Sequence, residues 1–329
     1  RRSSDLTRWS LKLELKQKQA IFSSRRFALL APHVRIHQGP GLFATTLKTA
    51  NFDIISPEHK PVRVVVNGVD WGVMIFEQSF SQSLLAVNNR TEGLITRLDL
   101  HDSEQNEPNS RTVKPRVLQA KTIFKNPALR KQRQLALHML NEFFSDKRPA
   151  SDVFDAEKLG QYLATTDIWG AWHTLTWNNW RWYYNPHTAK LEPIQSDVAV
   201  TPAKHIWLMK SPSQTLPISR KMLDDPNVLA HYKSALKHLK TLIDSGELLT
   251  ALTRFEQGFL SQVHNSSPLV APYDLSVLKH QAHCVITGYT LAPCNNIKPM
   301  NSDLHINVAN IYPHQNWDLI SSFTTSQNG

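Results

Sequence analysis

Apolar and polar residues alternate from Trp9 to Lys16: Trp9, Leu11, Leu13 and Leu15 against Ser10, Lys12, Glu14 and Lys16. A period of two predicts a strand with one buried face. A turn at Ser23-Ser24 leads into a second apolar run, Phe27 to Leu30, which Pro32 closes. Gly39-Pro40-Gly41 breaks the chain, and a helix is expected to follow through Leu42, Phe43 and Leu47. The β-branched run from Val62 to Val66 ends in Asn67-Gly68, a strong signal for a tight hairpin. Trp71 to Phe76 reads as its returning strand. The first hundred residues thus predict an antiparallel sheet with one or two helices.

From Leu100 to Pro115 the chain turns polar, with Asn, Ser, Glu and Asp. It reads as an exposed connection and as the boundary between lobes. Beyond it the period becomes helical. Leu129, Leu135, Leu137, Leu140, Phe143 and Phe144 suit a helix over about 127–145, and Asp155 is placed to cap another through Leu159, Tyr162, Leu163 and Thr166. A hairpin is expected from Arg181–Tyr184 to Leu191–Ile194, turning at Asn185-Pro186-His187-Thr188. After a loop at 202–217, Asp225-Pro226 opens a helix that Gly246 stops, and Leu248, Leu252, Phe255 and Phe259 supply one more. The tail after Pro268 has no clear period. The expectation is an α+β fold in two lobes: a β-rich lobe at 1–110, a mainly helical lobe at 111–265, and an irregular extension at 266–329.

Composition bounds the partners. Of 329 residues 41% are hydrophobic, enough for a sizeable core. No apolar run reaches the length of a membrane span, and the start at Arg1-Arg2 reads as an internal fragment. The net charge is +10, with much of the excess early. Such a surface favours polyanions, or is simply a solvated basic face. No nucleic-acid motif accompanies it, so no nucleic-acid partner is expected. Cys284 and Cys294 read as thiols, with a disulfide as the alternative; neither spacing nor neighbours suggest zinc.

The candidate chemistry lies between Leu159 and Asp197. His173 precedes Asn178 and Asn179 by five and six positions, and Asp197 follows a short strand-like run. Kinases that hold nucleotide through magnesium use this order of base, amide ligand and carboxylate ligand, because the ion takes hard oxygen donors. No glycine-rich phosphate loop is present. The tryptophans at 169, 172, 177, 180 and 182 could form a nucleoside platform or pack the helix against the hairpin, and packing is the ordinary outcome.

Further segments extend this signal. They are Trp9-Ser10, Phe27-Ala-Leu-Leu-Ala-Pro32 with Arg35, and Val65-Val66-Asn67-Gly68 with Gly72-Val73 and Glu77. The series continues with Asn89-Arg90-Thr-Glu92-Gly93, the Asp155 helix, and His173 to Asp197. In that order they resemble the spore-coat protein H (CotH) kinase family over most of residues 8–200, and more loosely to about 260. The resemblance implies an atypical two-lobed kinase fold, ATP and Mg²⁺ as cofactors, and a protein or cell-surface acceptor. It also implies an extracytoplasmic or envelope setting. It assigns Asn179 and Asp197 to metal, with His173 at the position of an acceptor-orienting Asp. Lys12 or Arg35 would bind phosphate, with Glu77 paired to that base. His173 and Glu14 depart from the family pattern. Two readings therefore stand: an ATP- and Mg²⁺-dependent phosphotransferase, or a non-catalytic pseudokinase-like module that binds a partner or an acidic glycan.

Overall fold

The computed structural model describes residues 9–16, 19–35, 37–102, 111–118, 123, 125–200 and 216–287, without the side chains of 34, 35, 100–102, 111 and 112. The loop expected at 202–217 falls almost wholly outside the described residues, as do Cys294 and the chain beyond 287. Strands β1 (Leu11–Glu14), β2 (Arg26–Leu30), β3 (His59–Val66) and β4 (Val69–Gln78) form an antiparallel sheet in the order β1-β2-β4-β3. Asn67 and Gly68 join β3 to β4 with φ of 52° and 81°, the two positive values that a type I′ turn requires. One face of the sheet buries Ala28, Leu30, Val73 and Ile75 against Phe259, Leu260 and Val263; the other gathers Phe27, Leu29, Met74 and Phe76. The alternation in β1 buries less than its pattern implies. Leu11 packs on the second face, but Trp9 is 63% exposed. A four-residue edge strand offers its apolar side few neighbours.

A second sheet has the order β6-β5-β7-β8, from β5 (Leu94–Asp102), β6 (Arg111–Val117), β7 (Arg181–Asn185) and β8 (Lys190–Pro193). The polar stretch read as an exposed connection thus contains paired strand at both ends, with Leu100 opposite Val113. Its polarity comes from an edge strand. Lys114 and Arg116 point outward while Val113 and Val117 lean on the core.

Helix α1 (Gly39–Thr49) begins on Gly39-Pro40-Gly41 rather than after it. Proline costs nothing in a first turn, whose N–H groups have no helical partner. A Cβ at Gly41 would lie 2.1 Å from the Phe255 ring, so a side chain there would displace that ring. The remaining helices are α2 (Gln82–Val87), α3 (Pro127–Phe144), α4 (Ala150–Val153), α5 (Ala156–Ile168), α6 (Pro217–Leu223), α7 (Pro226–Asp244), α8 (Glu247–Val263) and α9 (Leu275–Thr287). Asn126, Asp155 and Asp225 accept main-chain N–H bonds as N-caps of α3, α5 and α7. Helix α9 lies in the tail that lacked a clear period; Leu278, Ala282 and Val285 form its buried side.

The molecule is α+β and two-lobed, with an antiparallel N-terminal sheet and a largely helical second lobe. The main core lies where α3, α5 and α7 meet the second sheet. Trp169, Trp180 and Trp182 are fully buried there, and Trp180 stacks on Trp182 with ring centres 5.2 Å apart. These three rings are core packing. Cys284 is disulfide-bonded, not the thiol its surroundings in sequence suggested. No helix among the described residues is long and apolar enough to cross a membrane.

Candidate functional site

Three local devices bring distant residues together. Helix α5 ends at Ile168, and a 3₁₀ turn, Trp172–Leu175, carries His173. The β7–β8 hairpin follows, with Ile194 N–H donating to Arg181 O at 3.0 Å. The chain then runs beside residue 55, where Gln195 N–H donates to Ile55 O at 2.9 Å, and reaches Asp197. Asp197 has φ 50°, a left-handed conformation uncommon outside glycine but more accessible to Asp and Asn. Buried Tyr162 ties the two segments. Thr174 Oγ1 donates to Ser196 O at 2.5 Å, so Tyr162 OH donates to Thr174 Oγ1, 2.6 Å away. Burial pushes the Tyr162 phenol up to about 12, against its bonded partners Thr174 and Ser196, so it remains a donor at neutral pH.

His173, Asn179 and Asp197 form one cluster. Asn179 Nδ2 donates to His173 O at 2.9 Å. His173 Nδ1 lies 3.2 Å from Asp197 O and 3.7 Å from Asp197 Oδ2. Asn179 Nδ2 also lies 3.3 Å from His173 Nδ1, so that ring nitrogen faces an amide donor as well as the Asp197 carbonyl. The Asn179 NH₂ faces the His173 carbonyl, which leaves Oδ1 for another donor or a cation. Asn179 is buried, whereas exposed Asn178 turns its Oδ1 to Thr176 Oγ1 at 2.8 Å. Of the two adjacent asparagines, Asn179 is therefore the one joined to His173. Half-exposed His173 and largely buried Asp197 leave the cluster open on one side.

The other expected residues fall in a second group on the N-terminal sheet. Lys12 pairs with Ala28, Ala28 with Glu77, and Glu77 with His59. Opposed residues share a face, so Lys12 and Glu77 project from the same side, two strands or roughly 10 Å apart. Glu77 takes His59 Nε2 at 3.2 Å, a partner that sequence did not suggest. Lys12 is exposed. Arg35 ends a 3₁₀ turn, Pro32–Arg35, and its side chain lies outside the described residues. Glu14, the second departure from the family pattern, pairs with Arg26 at 2.8 Å.

Arg181 was missed. Its guanidinium donates to Asn178 O and Trp180 O at 2.8 and 2.7 Å. Burial, with the Arg97 charge, lowers it to about 10 against the pull of Asp197 and Asp99, and it stays a cation at neutral pH. The signal was present but ambiguous: between two inward tryptophans on a strand, Arg181 must face the other side.

Magnesium takes hard oxygen donors and commonly keeps water or substrate phosphate in its shell. The Asp197 carboxylate and Asn179 Oδ1 fit that chemistry as a pair. Among the described residues no three His, Cys, Asp or Glu side chains gather as a metal site. A cavity of about 930 Å³ lies elsewhere, along β3 between α1 and α8, lined by Lys48, Asp53, His59, Lys60, Phe255 and Phe259. The hydrogen-bonded cluster, not cavity size, identifies the candidate site, because volume alone supplies no reactive group.

No curated protein matches the chain. The family model described as CotH kinase protein matches residues 2–251. That stretch takes in both sheets, helices α1 to α7, and the segments that carry His173, Asn179 and Asp197. The chain belongs to the CotH kinase protein family.

Proposed function

We propose that this protein is an ATP- and Mg²⁺-dependent phosphotransferase acting on a protein or cell-surface acceptor. The observation that carries the reading is the convergence of His173, Asn179 and Asp197, with two side-chain oxygen donors beside an imidazole. Asp197 and Asn179 would hold Mg²⁺, which supplies charge neutralisation on the phosphates of ATP. His173 Nε2 would accept the proton of the acceptor hydroxyl. Lys12 or Arg35 would meet phosphate, and Glu77 would orient that base. Arg181, a fixed cation near Asp197, limits the build-up of negative charge at the site. An extracytoplasmic setting is part of the reading, supported by the disulfide at Cys284.

Calorimetry of the intact protein with Mg·ATP tests the proposal. Heat of association is expected in wild type and not in Asp197→Asn, which removes the charge yet tolerates the left-handed backbone. Equal heats in both proteins, or none in either, overturn it. The non-catalytic module remains the second reading. It is favoured by His173 at the family's Asp position and by Glu77 bonded to His59.

A further inference from the structure

The cavity of about 930 Å³ along β3 takes no part in the candidate site: none of His173, Asn179 and Asp197 lines it. Its size suits a small organic ligand. Helix α8 supplies one wall through Phe255, Gly258, Phe259 and Gln262, whose spacing puts them on one helix face. The rings of Phe255 and Phe259 lie 5.8 Å apart. Phe255 rests on α1 because Gly41 has no side chain to stop it; a Cβ there would lie 2.1 Å from the ring. Gly258 is different. An added Cβ would meet nothing within 4 Å, and its φ is not positive. Glycine weakens a helix interior, and neither close packing nor backbone conformation requires it at 258. Its effect is to keep the space beside the two phenylalanines open.

The charges around this space are unevenly matched. Asp53 pairs with Arg90 at 2.8 Å, and Glu58 with Lys60 at 2.8 Å. His59, in the wall, stands between Pro57 O at 3.0 Å and Glu77 at 3.2 Å. The ammonium of Lys48, exposed on α1, has no hydrogen bond or ion pair among the described residues. We propose that the cavity is a binding site for a small molecule with an aromatic body and one anionic group, the body resting on Phe255 and Phe259 and the charge meeting Lys48. An aromatic ring packs on phenylalanine edge-on or offset, and a carboxylate gives Lys48 the counter-charge it lacks. A cationic group gains little, since both carboxylates of the lining already have partners. Binding of this kind does not depend on the phosphotransferase reading.

The test titrates the full chain by calorimetry with three naphthalenes that carry a carboxylate, a carboxamide or a methylammonium group at the same position. The naphthoate is expected to bind at one site, the amide about fivefold more weakly, which is the upper scale of one exposed charge pair, and the ammonium more weakly still. Gly258→Leu fills the space and should abolish binding of the naphthoate, whereas Gly258→Ala leaves most of the room and should keep it. Both variants exchange glycine for a better helix former, so both should melt no lower than wild type. Lys48→Gln should bring the naphthoate down to the strength of the amide. Asp197→Asn should bind the naphthoate as wild type does, and Mg·ATP should not displace it. A naphthoate that binds Gly258→Leu as tightly as wild type, that binds no better than the ammonium, or that does not bind wild type at all overturns the proposal. Displacement by Mg·ATP overturns it too, because the cavity would then be part of the nucleotide site.

Discussion

His37 sits where burial opposes its charged form. It sits just past the Pro32–Arg35 turn at φ 51°, and its buried Nδ1 has no hydrogen-bond partner. Burial, helped by the nearby His33, lowers its pKa from 6.5 to about 4. Between those values the unfolded chain binds a proton that the folded chain refuses. Stability is therefore intact above pH 6.5 and falls as the pH drops from 6.5 toward 4. At about 1.4 kcal/mol per unit the full loss approaches ~3 kcal/mol. Replacing His37 by Gln removes the titration, so the melting temperature of the variant should fall less steeply over that range. Parallel melting curves for the two proteins would assign the acid loss to other groups. Sequence picked out His173, Asn179 and Asp197 by type and order, and the resemblance favoured Asn179 over Asn178. It could not show that the Asn179 amide reaches the His173 carbonyl or that His173 Nδ1 approaches Asp197, because both contacts depend on how the turn at 172–175 folds back on the chain after β8.

At the scale of elements, helices α5 and α7 meet through a single gap. A Cβ at Gly160 would stand 2.6 Å from Tyr232 N and 2.7 Å from His231 Cβ, atoms fixed to the opposing main chain. Alanine gains about 1 kcal/mol of helix propensity over glycine. Forcing two packed helices apart costs ~1–3 kcal/mol, and no flexible side chain can yield here, so Gly160→Ala should lower stability in urea denaturation. A neutral or stabilising result would mean the helices part easily. The elements that sequence revealed best are those with both a period and a stop. Asp155 and Asp225 cap α5 and α7 as their spacing suggested, and Asn67-Gly68 turns β3 into β4. β6 and α9 were harder. An edge strand with exposed Lys114 and Arg116 reads as loop, and α9 spreads its buried residues too thinly among polar ones.

For the whole molecule, a buried ionic network ties distant segments together and was hidden in residues that the family resemblance had already picked out. Glu192 on β8, 1% exposed, takes Arg90 Nε at 2.7 Å, Lys158 Nζ at 3.0 Å and Asn185 Nδ2 at 2.7 Å. Arg90 also holds Asp53 at 2.8 Å and the carbonyl of Asn88 at 3.0 Å. One network thus links the chain near residues 53 and 90 to α5 and to the strand that runs on to Asp197. Sequence could mark Arg90 and Glu192 but not join them across 102 positions. A buried pair of charges is a poor source of net stability, yet removing one partner strands the other in a medium that solvates it badly. Arg90→Met should therefore cost about 3–5 kcal/mol. Adding Glu192→Leu should recover much of that, since both charges are then gone and Lys158, Asp53 and the Asn185 amide are left to repair their pairing with water. A double-mutant cycle in urea reads the coupling directly. Costs that simply add would mean that Arg90 acts through Asp53 and the Asn88 carbonyl alone.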